Sequence, residues 1–144
     1  MKQDWIYPAT FRRAADGEII VTFEDLPEAI TGASDWAEAF ALAADALEEV
    51  VLAYLADGRP VPAPSPVEAG HEPVPLDPVT AARAALDRAM REDGVSNAAL
   101  ARRLGKTEGA VRRLINGDTG VKIDTVLDAL SMLGRRASLS VEAA

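Results

Sequence analysis

The 144-residue chain has no cysteine and only one histidine, His71, which lies among prolines. Without cysteine there can be no disulfide and no thiolate metal site, which fits a reducing compartment. A lone histidine in a proline-rich stretch leaves no catalytic triad and no multi-histidine metal site. Long apolar runs are also missing: nothing approaches the ~20 continuous apolar residues of a membrane span. The opening MKQDWIYPATFRRA lacks the apolar h-region of a secretory signal. These absences lead us to expect a cytoplasmic protein with no cofactor, no metal and no membrane contact.

Basic residues are scarce in the front half. Residues 1–76 hold 4 Lys/Arg against 14 Asp/Glu, a net of −10, whereas residues 77–144 hold 11 against 9, a net of +2. The overall −8 therefore belongs to the N-terminal part. Such asymmetry assigns different partners to the two parts. The back half can approach phosphate; the front half repels it and attracts something basic.

Trp5, Tyr7, Ala9 and Phe11 alternate with Ile6, Pro8, Thr10 and Arg12, the period of a strand. Pro8 lacks an N–H, so this strand is expected at a sheet edge or with a bulge. Asp16-Gly17 signals a hairpin turn. Ile19, Val21 and Phe23 mark the second strand, and Ala29-Ile30-Thr31 before Gly32 a short third. Asp35 and Glu38 form a capping-box pattern for a long helix from Trp36 to about Asp57. Its apolar positions are Phe40, Ala43, Ala44, Leu47, Val50, Val51 and Tyr54, and Gly58 is placed to stop it. Three strands covered by one helix make a small α+β layer over residues 1–57.

Seven of the nine prolines fall between Gly58 and Pro78. Residues 58–76 read as a semi-rigid linker, within which His71 to Leu76 could return one short strand to the sheet. The third segment, 77–144, opens with Asp77-Pro78, a favoured cap-and-first-turn pair. Val79, Ala82, Leu86, Ala89 and Met90 form the buried stripe of its first helix. Ile123, Val126, Leu127, Leu130 and Leu133 form that of its last, so the segment is expected to be all-α. Beyond Gly134, Ala137, Leu139 and Val141 alternate with Arg136, Ser138 and Ser140, the pattern of a terminal strand. No partner for it lies nearby in sequence, so it is expected either to fill a sheet edge or, the favoured reading, to pair with a second copy, and hence a homodimer or higher oligomer is expected.

Within that segment, Ser96 to Asn116 reads as two short helices joined by a tight turn. Leu100, Ala101 and Leu104 share one face of the first helix; Val111, Leu114 and Ile115 share one face of the second. Gly105 occupies the turn, where positive φ is favoured, and Ser96 and Thr107 are placed to cap the following helices. This is a helix-turn-helix pattern. The candidate DNA-binding residues are then Lys106, Thr107, Glu108, Gly109, Arg112, Arg113 and Asn116, which point away from the apolar face. Arginine can pair with guanine, asparagine with adenine, and glutamate can accept from cytosine.

Tyr7-Pro8, the run Thr22-Phe23-Glu24-Asp25-Leu26-Pro27, the proline-rich spacer and the Leu133-Gly-Arg-Arg136 tail occur here in an order that resembles the HicB antitoxin family in its helix-turn-helix version. The resemblance spans nearly the whole chain, departing where Glu28 stands in place of a small residue. It implies a type II antitoxin with a partial ribonuclease-H-like N-terminal domain and a C-terminal DNA-binding domain. The first domain would neutralise a HicA toxin, a small basic mRNA-cleaving protein; the second would bind operator double-stranded DNA and repress the operon. Glu24, Asp25, Leu26 and Pro27 are the candidate partner-binding residues.

Catalysis is not expected. A ribonuclease-H-like site needs carboxylates converging on a metal ion. Glu24 and Asp25 are neighbours at a strand end, where successive side chains point to opposite faces, and the first strand has no acid between Trp5 and Arg13. The competing functional class is a stand-alone repressor whose N-terminal domain senses a small molecule.

Overall fold

The computed structural model describes residues 2–143. Four strands come from the front of the chain: β1 (Ile6–Arg13), β2 (Ile19–Phe23), β3 (Ile30–Ala33) and, beyond the long helix α1 (Trp36–Ala56), β4 (Glu72–Pro75). They form one antiparallel sheet in the order β3-β2-β1-β4. The fold is therefore the expected β-β-β-α layer with the returning strand added.

Pro8 does not sit at an edge. β1 is central, pairing Ala9↔Phe23 on one side and Tyr7↔Val74 on the other, with no bulge in either register. Register explains why the proline is tolerated. The Leu76 N–H donates to the Trp5 carbonyl, and bonded pairs alternate along an antiparallel ladder. Residues 5, 7 and 9 therefore bond toward β4, and Pro8 faces β2. The β1–β2 ladder stops at Ala9↔Phe23, one residue short of any bond Pro8 would have to make. By the same alternation Pro73 and Pro75 lie opposite Pro8 and Ile6 at non-bonded positions, and the N–H each lacks would point out of the sheet. Both are tolerable on an edge strand and blunt its outer side.

One sheet face carries Tyr7, Ala9, Ile19, Val21 and Phe23, all essentially inaccessible. The buried stripe of α1 within the same compact unit is Ala39, Ala43, Leu47 and Val51. Phe40, expected in this stripe, is 41% exposed. Small Ala39 is buried in its place, beside the expected Ala43, and Phe40 turns aside onto Phe11, centroids 4.5 Å apart. Trp36 stacks on the same Phe11 ring at 6.0 Å, joining the start of α1 to β1. Asp35 accepts from the Glu38 N–H at 2.9 Å, the expected cap, while the Glu38 carboxylate takes the Ser34 hydroxyl.

The proline-rich stretch is divided by the structure. Val61–Asp77 belongs to the same compact unit as the sheet, and Tyr54–Pro60 to the unit that continues from Pro78. Two contacts tie the first piece down: Tyr7 donates its hydroxyl to the Pro62 carbonyl at 2.7 Å, and the Asp25 carboxylate receives the Ser65 N–H and hydroxyl.

The second unit holds α2 (Pro78–Asp93), α3 (Asn97–Leu104), α4 (Glu108–Ile115) and α5 (Ile123–Met132). α2 packs on α4 and α5, and α3 on the same two helices. Leu86, Leu100, Val111 and Val126 are fully buried at the centre. Residues 135–143 form no helix and join no sheet within the single chain, and Leu139 and Val141 are 71% and 87% exposed. Their alternating pattern has no partner strand among the described residues.

Candidate nucleic-acid interface

The α3–turn–α4 unit is fixed at each junction by short-range hydrogen bonds. The Ser96 hydroxyl accepts from the Ala99 N–H and the Thr107 hydroxyl from the Ala110 N–H, both at 3.1 Å. Each satisfies a backbone donor with no partner inside its helix. Gly105 takes φ 66°, ψ 33°, and Lys106 N–H bonds back to the Ala101 carbonyl at 2.9 Å. That left-handed stop lets α3 end and α4 begin within three residues. Leu100, Ala101, Val111, Leu114 and Ile115 are buried, as expected from the spacing, and α3 packs on α4, while Leu104 is only half-buried.

With that face buried, Lys106, Thr107, Glu108, Arg112, Arg113 and Asn116 are all exposed, and Gly109 partly so. Arg112 lies 3.5 Å from Glu108 one turn earlier. Gly109 is not demanded by packing: an added Cβ would meet only Arg113 Nη1 at 3.8 Å and Thr107 Oγ1 at 4.0 Å. It leaves bare backbone on the outward side near the start of the helix. The exposed Asn116 side chain also has a local role. Its Oδ1 accepts from the Asp118 N–H at 3.2 Å, so it shapes the turn after α4. The amide oxygen has a second lone pair and the Nδ2 donors are not used by that turn bond, so the side chain keeps the groups a bidentate adenine contact uses.

Arg83, on α2, was not anticipated as part of this site. It is only 4% exposed. Its Nη1 donates to the carbonyls of Arg113 and Leu114 at 3.0 and 3.1 Å, and its Nη2 to the Asp118 carbonyl at 2.6 Å. The guanidinium thus supplies donors to the last turn of α4, whose carbonyls have no helical partners, and places positive charge at the negative end of the helix dipole. Burial pushes the Arg83 pKa below its ordinary value, and nearby Asp118 partly opposes this. The available signal was positional: Arg83 lies four residues after Val79 and three before Leu86, on the apolar stripe. Arg102 and Arg103, exposed in the last turn of α3, add charge that the sequence reading also left out.

At the far end of the unit Arg135 bonds the Asp93 carboxylate through both terminal nitrogens and approaches Glu92 at 3.3 Å. The Arg135 hydrogen bond holds the Asp93 carboxyl below its usual range. This clamp fixes where the tail leaves α5. A depressed carboxyl contributes above its unfolded pKa of about 4, so the clamp should be fully formed near neutrality and be lost only as pH falls through the lowered Asp93 pKa. Proteolysis of the tail along a falling pH series should report the release below the ordinary carboxylate range; release already above that range would contradict it.

The proposed partner-binding residues are divided between surface and core. Glu24 and Pro27 are exposed, but Leu26 has no accessible surface and the Asp25 carboxylate is engaged by Ser65. Leu26 is a core residue of the turn, its carbonyl accepting from the Ala29 N–H at 2.9 Å. Among the described residues no group of three or more His, Cys, Asp and Glu is placed to hold a metal ion. No helix among the described residues is long and apolar enough to cross a membrane.

A family model described as the HicB-like antitoxin of bacterial toxin–antitoxin systems matches residues 6–85. The chain is 35% identical to Antitoxin HicB 2 of Photorhabdus laumondii, over 96% of this chain and 98% of that protein. It is 35% identical to Antitoxin HicB of Escherichia coli K12, over 92% and 96%. Against Antitoxin HicB of Pseudomonas fluorescens the identity is 38%, over 89% and 88%. These likenesses run from the sheet through the helix-turn-helix, and the chain belongs to the HicB-like antitoxin family of bacterial toxin–antitoxin systems.

Proposed function

We propose that this antitoxin neutralises a small basic, mRNA-cleaving toxin of HicA type through its acidic N-terminal part. In this reading it represses its own operon by binding operator DNA as a dimer through α4. The supporting observation is the capped helix-turn-helix, with Arg112 and Arg113 exposed on a helix whose opposite face is core. The net −10 of residues 1–76 supports the toxin arm. An RNA-cleaving protein must present positive charge to its substrate, and complementary charge speeds and selects such encounters. No step is catalysed by the antitoxin itself; it acts by occlusion and by occupying DNA.

A two-fold dimer of helix-turn-helix units reads half-sites with centres about 34 Å apart, or a multiple of that. The tail supplies the dimer contact, with Leu139 and Val141 pairing against those of a second copy. Deleting residues 135–144 should then lower the sedimentation coefficient toward the monomer value; an unchanged coefficient removes the tail from the dimer interface. Gly109→Ala should stabilise the fold by roughly 0.5–1 kcal/mol, the usual gain of Ala over Gly in a helix. It should also weaken operator binding by putting a methyl between backbone and DNA. Thermal melts and gel shifts on one preparation measure both; unchanged affinity means the backbone there does not approach DNA.

The direct test of the whole reading is co-purification from the native host with the operator region as probe. A small basic protein should come down in stoichiometric amount, and the chain should shift its own promoter fragment. If neither is found, while a metabolite raises the melting temperature, a ligand-sensing repressor replaces this reading.

A further inference from the structure

The two edges of the sheet are chemically unlike. The Ala14 N–H donates to the Glu18 carbonyl at 2.7 Å, so by alternation residues 18, 20 and 22 bond toward β1 and residues 19, 21 and 23 toward β3. Given the pairs Ile19↔Ala33 and Val21↔Thr31, Thr31 and Ala33 spend their backbone groups on β2. The N–H and C=O of Ile30 and Gly32 then point away from the sheet, with no strand beyond them among the described residues. At the other edge Pro73 and Pro75 occupy the equivalent outward positions of β4 and offer no N–H. One edge is sealed by prolines; the other is a short open template. Beside it the Ile30 side chain is 62% exposed.

Charge decides what can pair there. Residues 14–58 contain no lysine or arginine and eleven aspartates and glutamates. Glu28 and Asp35 flank β3 in sequence, and the Glu18 carboxylate lies over Gly32, where its Oε1 would be 2.5 Å from an added Cβ. Antiparallel pairing with a second copy of β3 would bring each Glu28 toward the other copy's Asp35, a like-charge contact at both ends. A basic extended segment meets the same groups as counter-charges.

We infer that the β3 edge is where the basic toxin docks, adding a strand to the sheet through the backbone of Ile30 and Gly32. Strand addition draws affinity from main-chain bonds and selectivity from flanking side chains. The inference rests on the toxin-binding reading above and gives it a location. Because Leu26 is buried and Asp25 engaged, it also moves the contact from the Glu24–Pro27 turn to the strand that follows.

Amide hydrogen exchange on the full chain, alone and with the purified small basic protein encoded beside it, tests this. The Ile30 and Gly32 amides should exchange fast in the free chain and slow by about 100-fold or more in the complex. Those of Thr31 and Ala33 should be protected in both. Ile30→Pro removes one outward donor at a site where an edge strand tolerates proline, and should weaken the complex at least about tenfold. Ile30→Thr, which keeps the N–H, should bind more tightly than Ile30→Pro. If a complex forms while the Ile30 and Gly32 amides stay unprotected, the docking edge is refuted and the antitoxin reading stands. Concentration-dependent protection in the free chain would instead mean that a second copy occupies the edge, which also refutes it. If no complex forms, the toxin-binding reading fails and this inference with it.

Discussion

Arg83→Met should destabilise the helical unit by about 2–4 kcal/mol, because it strips a donor from the buried Leu114 carbonyl and from the part-buried carbonyls of Arg113 and Asp118, of which only Asp118 keeps a backbone donor, the Val121 N–H. Arg83 serves Arg113, Leu114 and Asp118 at once. A buried acceptor stripped of its donor costs about 1–3 kcal/mol, and Met fills similar volume, so little of the loss comes from packing. Some carbonyls at the end of α4 will find water, which keeps the total below three full penalties. For a unit of this size the corresponding drop in melting temperature is roughly 10–20 °C. Operator affinity should fall at temperatures where the variant is still folded, since the freed turn is the one that carries Arg112, Arg113 and Asn116. Arg83→Lys keeps the charge but not the fork, and should recover only part of both losses. An unchanged melting temperature for Arg83→Met would mean the guanidinium is dispensable, and the assigned role of the helix latch would fall.

Arg112→Ala and Arg113→Ala should each weaken operator binding by about 1–3 kcal/mol if the arginine forks onto a guanine edge, and should relax preference at that base pair. A contact to phosphate behaves differently: the loss is uniform across sequences, and the salt dependence becomes shallower by about one counterion. The structure gives a reason to expect the two residues to differ. Arg112 has Glu108 at 3.5 Å and must leave that partner to reach DNA, whereas no such carboxylate is paired with Arg113 in α4. Both side chains are exposed, so neither change should move the melting temperature by much. Binding isotherms at several salt concentrations, on operator and scrambled duplexes, separate the cases. Full affinity in both variants would place the DNA contact elsewhere.

Local chemistry was legible in the sequence; pairings across distance were not. Ser96, Gly105 and Thr107 could be assigned because a cap or a turn depends on the next three or four residues. The buried stripe of α4 followed from spacing for the same reason. Pro8 misled because a proline disfavours a central strand only where its missing N–H is needed, and that depends on where the β2 ladder ends. Phe40 misled because hydropathy cannot tell which of two neighbouring apolar residues turns to the sheet. Arg83 was passed over because a charged side chain on an apolar stripe reads as a break, unless carbonyls thirty residues away are waiting for it. The tail remains an alternating pattern without a mate in the chain, and a pattern alone does not supply one.

The claim on which the rest depends is that separate parts of this antitoxin hold separate macromolecules: an acidic sheet for a basic toxin, an arginine-bearing helix for DNA. The most direct measurement is a paired assay of the Arg112→Ala/Arg113→Ala double variant in cells, scoring toxin neutralisation and promoter repression together. Repression should be lost while neutralisation stays at the wild-type level. Loss of both, or of neither, would contradict the division.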